Sequence, residues 1–153
     1  MSTVVIAEEE VTNDLIIEML PLLEEHRIEI SAFKDMELNP NIKLYLELAK
    51  IKMYMVYVAR DTGRIVGYAG YFINPNFHYQ AYTYATQDVV YVEKSRRGVM
   101  LGSKLLNYAD NELQKIGVDV VTHHVKVKQD FGELLKRNGY TWVEKIFMKR
   151  LQQ

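Results

Sequence analysis

Residues 88–106 read DVVYVEKSRRGVMLGSKLL, and this stretch restricts the fold of the chain more than any other. Its first half alternates in the manner of a strand and is rich in valine and tyrosine. From Met100 onward the apolar residues fall at helical spacing. Between the two halves lie Arg96, Arg97, Gly98 and Gly102. A strand that passes into a helix across so short a bend belongs to a layered α/β arrangement. The first backbone N–H groups of a helix have no intrahelical acceptor and carry partial positive charge, so they attract anions. Glycine there lets backbone approach a phosphate closely, and arginine can pair with it. A plain strand-to-helix turn with solvated arginines has the same local pattern.

The rest of the chain supplies the layers. Residues 3–7 (TVVIA) predict a first strand. A helix follows, capped by Thr12 or Asn13, with Leu15, Ile16, Met19, Leu22 and Leu23 on one face and Pro21 expected to kink or divide it. Asn39-Pro40-Asn41 marks a turn, and 41–52 a second helix with Ile42, Tyr45, Leu46 and Ala49 on one side. Residues 53–60 and 65–73 read as a hairpin around the DTGR turn. The next strand, 81–92, is expected to put Ala85, Gln87, Val89 and Tyr91 on one face and Thr86, Asp88, Val90 and Val92 on the other. Then come a helix at 100–117 with Leu101, Leu105, Tyr108, Ala109, Leu113 and Ile116 inward, and a strand at 118–127. A short helix at 129–139 and a closing strand at 140–151 complete the order. The strand–helix–strand unit of 85–125 predicts a parallel pair with a right-handed crossover. A length of 153 residues fits a single domain, 1–153.

Composition removes several function classes. The net charge of -1 provides no overall cationic field for nucleic acid, so no nucleic-acid partner is expected. The absence of cysteine removes disulfides, thiolate metal sites and a cysteine nucleophile. No run approaches the ~20 apolar residues of a membrane span, and MSTVVIAEEEVTNDL lacks a basic flank and a long apolar run. Neither membrane nor signal peptide is expected, and the expected location is cytoplasmic.

VVYVEKSRRGVMLGSKLL resembles the signature of the GNAT acetyltransferases, in which a strand ends, an Arg/Gln-x-x-Gly-x-Gly/Ala bend follows and a helix begins. Arg97, Gly98 and Gly102 match that pattern, and Met100 stands where the middle glycine is usual. FGELLKRNGY looks like the family's later helix with its Gly-aromatic end, and GRIVGYAGYFI like its third strand. The element order also agrees over nearly all the chain. NPNFHYQ, QDVVYV and HHVKV further resemble small GNAT proteins of tailed bacteriophages, which would place the protein in a host cytoplasm.

The resemblance implies a mixed central sheet with helices on both faces and splayed fourth and fifth strands. It implies acetyl-CoA as donor, a small-molecule or protein amine as acceptor, and direct attack of the amine on the thioester. The pyrophosphate would rest on Arg97, Gly98, Val99, Met100, Leu101, Gly102 and Ser103, and the pantetheine arm would run along Val90, Tyr91 and Val92. Dimerisation is common in the family, which adds a homodimer to the partners the resemblance allows, but the sequence identifies no interface and leaves the oligomeric state open.

Such chemistry needs a proton acceptor for the amine and a proton donor for the leaving thiolate. Asp88 is the candidate base, although a carboxylate there could instead pair with a neighbouring donor or bind the substrate ammonium. His123 and His124 point to opposite faces of their strand, and His124 is the preferred candidate for the cleft. Leu135 occupies the place where the family often has its thiol-protonating tyrosine. That departure keeps a second reading open, a catalytically weak or inactive CoA-binding module or phage accessory protein. Neighbouring strand histidines diverge, and no H-E-x-x-H helix is present, so no metal is expected. NPNFHYQ is the expected substrate-facing loop.

Overall fold

A computed structural model describes residues 3–152; residues 1, 2 and 153, the ends of the expected domain, lie outside it. The elements are β1 (Val4–Glu9), α1 (Asn13–Ile30), α2 (Ile42–Lys50), β2 (Tyr54–Asp61), β3 (Arg64–Pro75), β4 (Thr83–Val92), α3 (Leu101–Lys115), β5 (Val120–Thr122) and α4 (Gly132–Arg137). The sheet order is β1-β2-β3-β4-β5. The first four strands run antiparallel, and β4 pairs with β5 in parallel, as a crossover through α3 requires.

Local chemistry accounts for the element ends. The Thr12 hydroxyl accepts from Leu15 N–H at 3.1 Å and caps α1, and the Asn41 carboxamide caps α2 through Leu44 N–H at 3.1 Å. Thr62 and Gly63 both have positive φ, 51° and 84°, the geometry that joins twisted hairpin strands in two residues. Gly117, at φ 93°, ends the helical run after α3. Pro21 does not divide α1, which continues unbroken from Asn13 to Ile30. Pro21 lies on the exposed side, so the carbonyl it leaves without a helical donor faces water.

Two helical layers cover the sheet. On one face Leu15, Met19 and Leu22 of α1, with Tyr45, Leu48 and Ala49 of α2, pack on Val56, Val58, Tyr68 and Tyr91. On the other, Leu105, Ala109 and Leu113 of α3 pack on Tyr57, Ala69, Tyr71 and Ala85. Leu106 is also fully buried, whereas Ile116 is exposed because the helix has ended before it.

The sequence expectation for β4 needs correction. Gly70 pairs with Val89 but Tyr71 pairs with Gln87, so Asp88 is an extra residue bulging from the ladder. The bulge reverses the alternation. Ala85 and Gln87 share the α3 face with Val90 and Val92, whereas Thr86 and Asp88 share the α1/α2 face with Val89 and Tyr91. A strict period of two cannot foresee this, because an inserted residue leaves the sequence pattern unmarked.

The C-terminal third is also less regular than its composition implies. The strand expected at 118–127 is ordered into a ladder only over Val120–Thr122, and the helix expected at 129–139 only over Gly132–Arg137. The strand expected at 140–151 is absent among the described residues, and Trp142, Val143 and Phe147 are exposed. A strand is made by its ladder, and three-residue β5 provides no length for that segment to pair with.

Candidate active site

β4 ends at Val92 and the chain turns through one 3₁₀ turn, Lys94–Arg96. This turn is braced by ion pairs from Glu93 to Arg64, at 2.7 Å, and from Arg96 to Asp61. Gly98 has φ 83° and Met100 has φ 65° and ψ 9°, both left-handed. The place where the family usually has glycine therefore keeps a glycine-type conformation, with methionine bearing its strain. Val99 and Met100 point outward, so their side chains do not fill the bend. Among the described residues the amide N–H groups of 98–103 have no hydrogen-bond acceptor, and no side chain caps α3. A row of free amides at a helix start is suited to diphosphate oxygens.

Three members of the expected phosphate set have structural partners of their own. Arg97 donates from Nε to the Val92 carbonyl at 2.9 Å, pairs with Glu29 of α1 at 3.0 Å and lies 5.2 Å above the centre of the Tyr91 ring. The Ser103 hydroxyl donates to Asn138 Oδ1 at 2.9 Å, and Asn138 donates in turn to the Leu134 carbonyl at 2.7 Å. A Cβ at Gly102 would come within 3.1 Å of Leu134 Cδ2, so this glycine also seats α4 against the start of α3.

The β4–β5 ladder comprises Tyr84↔Val120, Ala85↔Val121 and Thr86↔Thr122, and then stops, although β4 continues to Val92. Gln87 takes over at the point of divergence. Its Oε1 accepts from the His124 backbone N–H at 2.8 Å and lies 3.2 Å from His123 Nδ1. A side chain thus holds the strands where backbone pairing ends. Among the described residues the edge of β4 from the bulge to Val92 has no strand partner on the β5 side.

Asp88 lies at that divergence on the α1/α2 face. Tyr45 of α2 and Tyr54 of β2 both donate to its Oδ2, at 2.8 and 2.9 Å. Burial pushes the carboxyl above the usual carboxylate range, and the two phenol donors draw it partly back. A Cβ at Gly70 would overlap the Tyr54 hydroxyl and come within 3.2 Å of Val89 Cγ2, so this glycine makes the space through which Tyr54 reaches the carboxylate.

Both histidines lie just beyond the end of β5, so strand alternation does not set their directions. His123 faces α3, with Nε2 3.2 Å from the Tyr71 hydroxyl and edge-to-face contacts to Phe131 and Tyr140. Acceptance by Gln87 at Nδ1 and donation by Tyr71 at Nε2 fit one neutral tautomer. Burial pushes His123 down to about 4. The His124 ring has no hydrogen-bond partner among the described residues, and its backbone N–H is held by Gln87 one residue from Asp88. Leu135 is buried as a packing side chain, and Tyr140 donates to Asp110 of α3 at 2.5 Å.

Sequence reasoning placed Tyr45 on one side of α2 without linking it to Asp88, and it missed Tyr54, Gly70 and Gln87 as members of this site. The adjacent polar residues Gln87 and Asp88 inside an otherwise apolar strand were the available signal. NPNFHYQ, expected to face substrate, lies at the opposite end of β4 from the glycine bend, with Phe77 fully exposed. Among the described residues no group of three or more histidine, aspartate or glutamate side chains is arranged to hold a metal ion. No helix among them is long and apolar enough to cross a membrane.

A family profile described as acetyltransferase (GNAT) domain matches residues 52–141. No curated protein sequence matches the chain. Solved structures similar to it include an aminoglycoside acetyltransferase from an uncultured soil metagenomic sample, crystallised with sisomicin. It has 16% identity and a TM-score of 0.77, over 99% of this chain and 97% of that one. Glucosamine-6-phosphate N-acetyltransferase from Arabidopsis thaliana has 16% identity and a TM-score of 0.74, over 98% and 99%. A predicted acetyltransferase from Clostridium acetobutylicum, solved with acetyl-CoA, has 12% identity and a TM-score of 0.72, over 97% and 96%. At these identities the structural likeness concerns the fold.

Proposed function

The chain belongs to the GNAT acetyltransferases, and on that premise we propose that it transfers an acetyl group from acetyl-CoA to a primary amine by direct attack. The observation that carries this reading is the conjunction at one sheet edge. Free amides at 98–103 lie at one end of β4's unpaired stretch, and the partly buried carboxylate of Asp88 at the other. The amides, with Arg97, would bind the diphosphate, and the free edge at Val90, Tyr91 and Val92 would take the pantetheine amides as an added strand.

The amine nitrogen bonds to the acetyl carbon, the carbon–sulfur bond breaks, and the nitrogen loses a proton to Asp88. The thiolate must gain one. Leu135 cannot supply it, and His124, whose ring has no hydrogen-bond partner among the described residues, is the candidate donor. A carboxyl raised by burial is a better proton acceptor than an ordinary surface aspartate.

Thermal shift and thiol release test this reading. Acetyl-CoA at 100 times its Kd should stabilise the protein by about 2.7 kcal/mol. Asp88→Asn should bind acetyl-CoA normally and lose about 10²-fold or more in turnover over a panel of primary amines including sisomicin. Absence of any shift with acetyl-CoA overturns the reading. A shift without thiol release would favour the passive CoA-binding module that the Leu135 departure leaves open.

A further inference from the structure

Two phenols converge on a single oxygen of Asp88. Tyr45 and Tyr54 lie 43 and 34 residues from it in sequence and come from different elements, yet both hydroxyls donate to Oδ2. A carboxylate oxygen offers two lone pairs, so this pair of donors saturates Oδ2. Oδ1 has no partner among the described residues, and Asp88 enters no ion pair there. The rings are fixed as well: Tyr45 meets Tyr54 edge-on at 4.9 Å, and Phe72 lies 5.1 Å from Tyr54 and 6.2 Å from Tyr45. Gly70 leaves the space the Tyr54 hydroxyl occupies.

We infer that Tyr45 and Tyr54 are positioning residues for the acyl transfer: together they hold Oδ2 of Asp88 and leave Oδ1 as the oxygen offered to the acceptor amine. The inference rests on Asp88 acting as base. A carboxylate with two free oxygens rotates about its Cβ–Cγ bond and divides its time between orientations. One fixed through Oδ2 keeps Oδ1 in a single direction, which favours proton transfer from a bound amine. The donors also oppose the effect of burial on the carboxyl. Besides His124, the candidate proton donor, Tyr68 of β3 lies near enough that Asp88 opposes its ionisation, and the Tyr68 hydroxyl is 3.5 Å from Nδ1 of His26 on α1. Among the described residues no ion pair reaches Asp88 from Tyr68 or His26.

Tyr45→Phe, Tyr54→Phe and the double variant keep the rings and remove the donors. Protein labelled with ¹³C-aspartate, with Asp88→Asn to assign its resonance, reports the Asp88 titration without any substrate. Each single variant should move that titration to higher pH by about one unit, the worth of one hydrogen bond to a charged group. The double variant should move it further. The acidic limb of turnover should shift in parallel, with KM for acetyl-CoA unchanged. Titrations that coincide with wild type, in protein whose Asp88→Asn variant is inactive, overturn the role of the tyrosines alone. An Asp88→Asn variant with wild-type turnover removes the base itself, whatever the titrations show.

Discussion

Arg97 Nη2 lies 3.0 Å from Glu29 Oε1, so the arginine at the head of the glycine bend is already paired with a carboxylate on α1. Lys94 approaches the same carboxylate, at 3.8 Å. Glu29 is nearly buried in this pairing, whereas the Arg97 side chain keeps about a third of its surface exposed. A diphosphate arriving at the bend must therefore share the guanidinium with Glu29 or displace it.

Glu29→Gln is accordingly expected to tighten acetyl-CoA binding by about five-fold, the worth of one modest ion pair. Arg97→Glu should weaken it by more than that. Calorimetric titration checks both, and the Glu29 effect should shrink at high salt. Equal affinities in wild type and Glu29→Gln would show that Arg97 braces the bend without meeting phosphate.

Gly70→Ala should destabilise the protein by about 1–3 kcal/mol, because the new methyl overlaps the Tyr54 hydroxyl. Tyr54→Phe removes the overlapped oxygen. The double variant should therefore lose at least 0.5 kcal/mol less than the sum of the singles, a coupling of about the size found for residues in contact. Urea denaturation of the four proteins measures this. Strict additivity would mean that β3 shifts to relieve the overlap.

Met100→Gly is expected to be stabilising. A left-handed non-glycine residue costs about 1–2 kcal/mol, and glycine's greater freedom in the unfolded chain offsets about 0.4–1 kcal/mol of the relief. Met100 is 69% exposed, so little packing is lost. A net gain of about 0.5–1 kcal/mol should appear as a higher urea midpoint at unchanged slope. A lower midpoint would show that the methionine side chain holds the bend.

Acid should unfold the protein partly through His26. This histidine is 9% exposed and stacked on Tyr91 at 4.9 Å, and burial pushes it down to about 4 from 6.5. Between those values the unfolded chain holds a proton that the folded one refuses, so stability falls as pH drops through 6.5 and the loss is complete below 4. At pH 5 the loss from His26 is about 2 kcal/mol. His123, also pushed down to about 4, adds a loss in the same direction. Tm at pH 7 and pH 5, in wild type and His26→Gln, tests the assignment; the variant should show the smaller decline.

Near neighbours in sequence determined the strand, bend and helix at 88–106, the hairpin around Gly63 and the caps at Thr12 and Asn41. Each depends on backbone geometry and hydrogen bonds within a few residues, which composition and spacing report directly. The same locality made the Arg97–Gly102 bend visible, and Leu135 as a departure. Tertiary structure alone decided which groups surround Asp88. The bulge that turns it to the α1/α2 face exists only in register with β3, and Tyr45 and Tyr54 reach it only once two layers have closed over the sheet. It likewise limited the strand expected at 118–127 to Val120–Thr122, because pairing with β4 ends where Gln87 replaces a backbone contact with a side-chain one. A strand pattern states that residues can extend; only a partner at the right register determines how far they do.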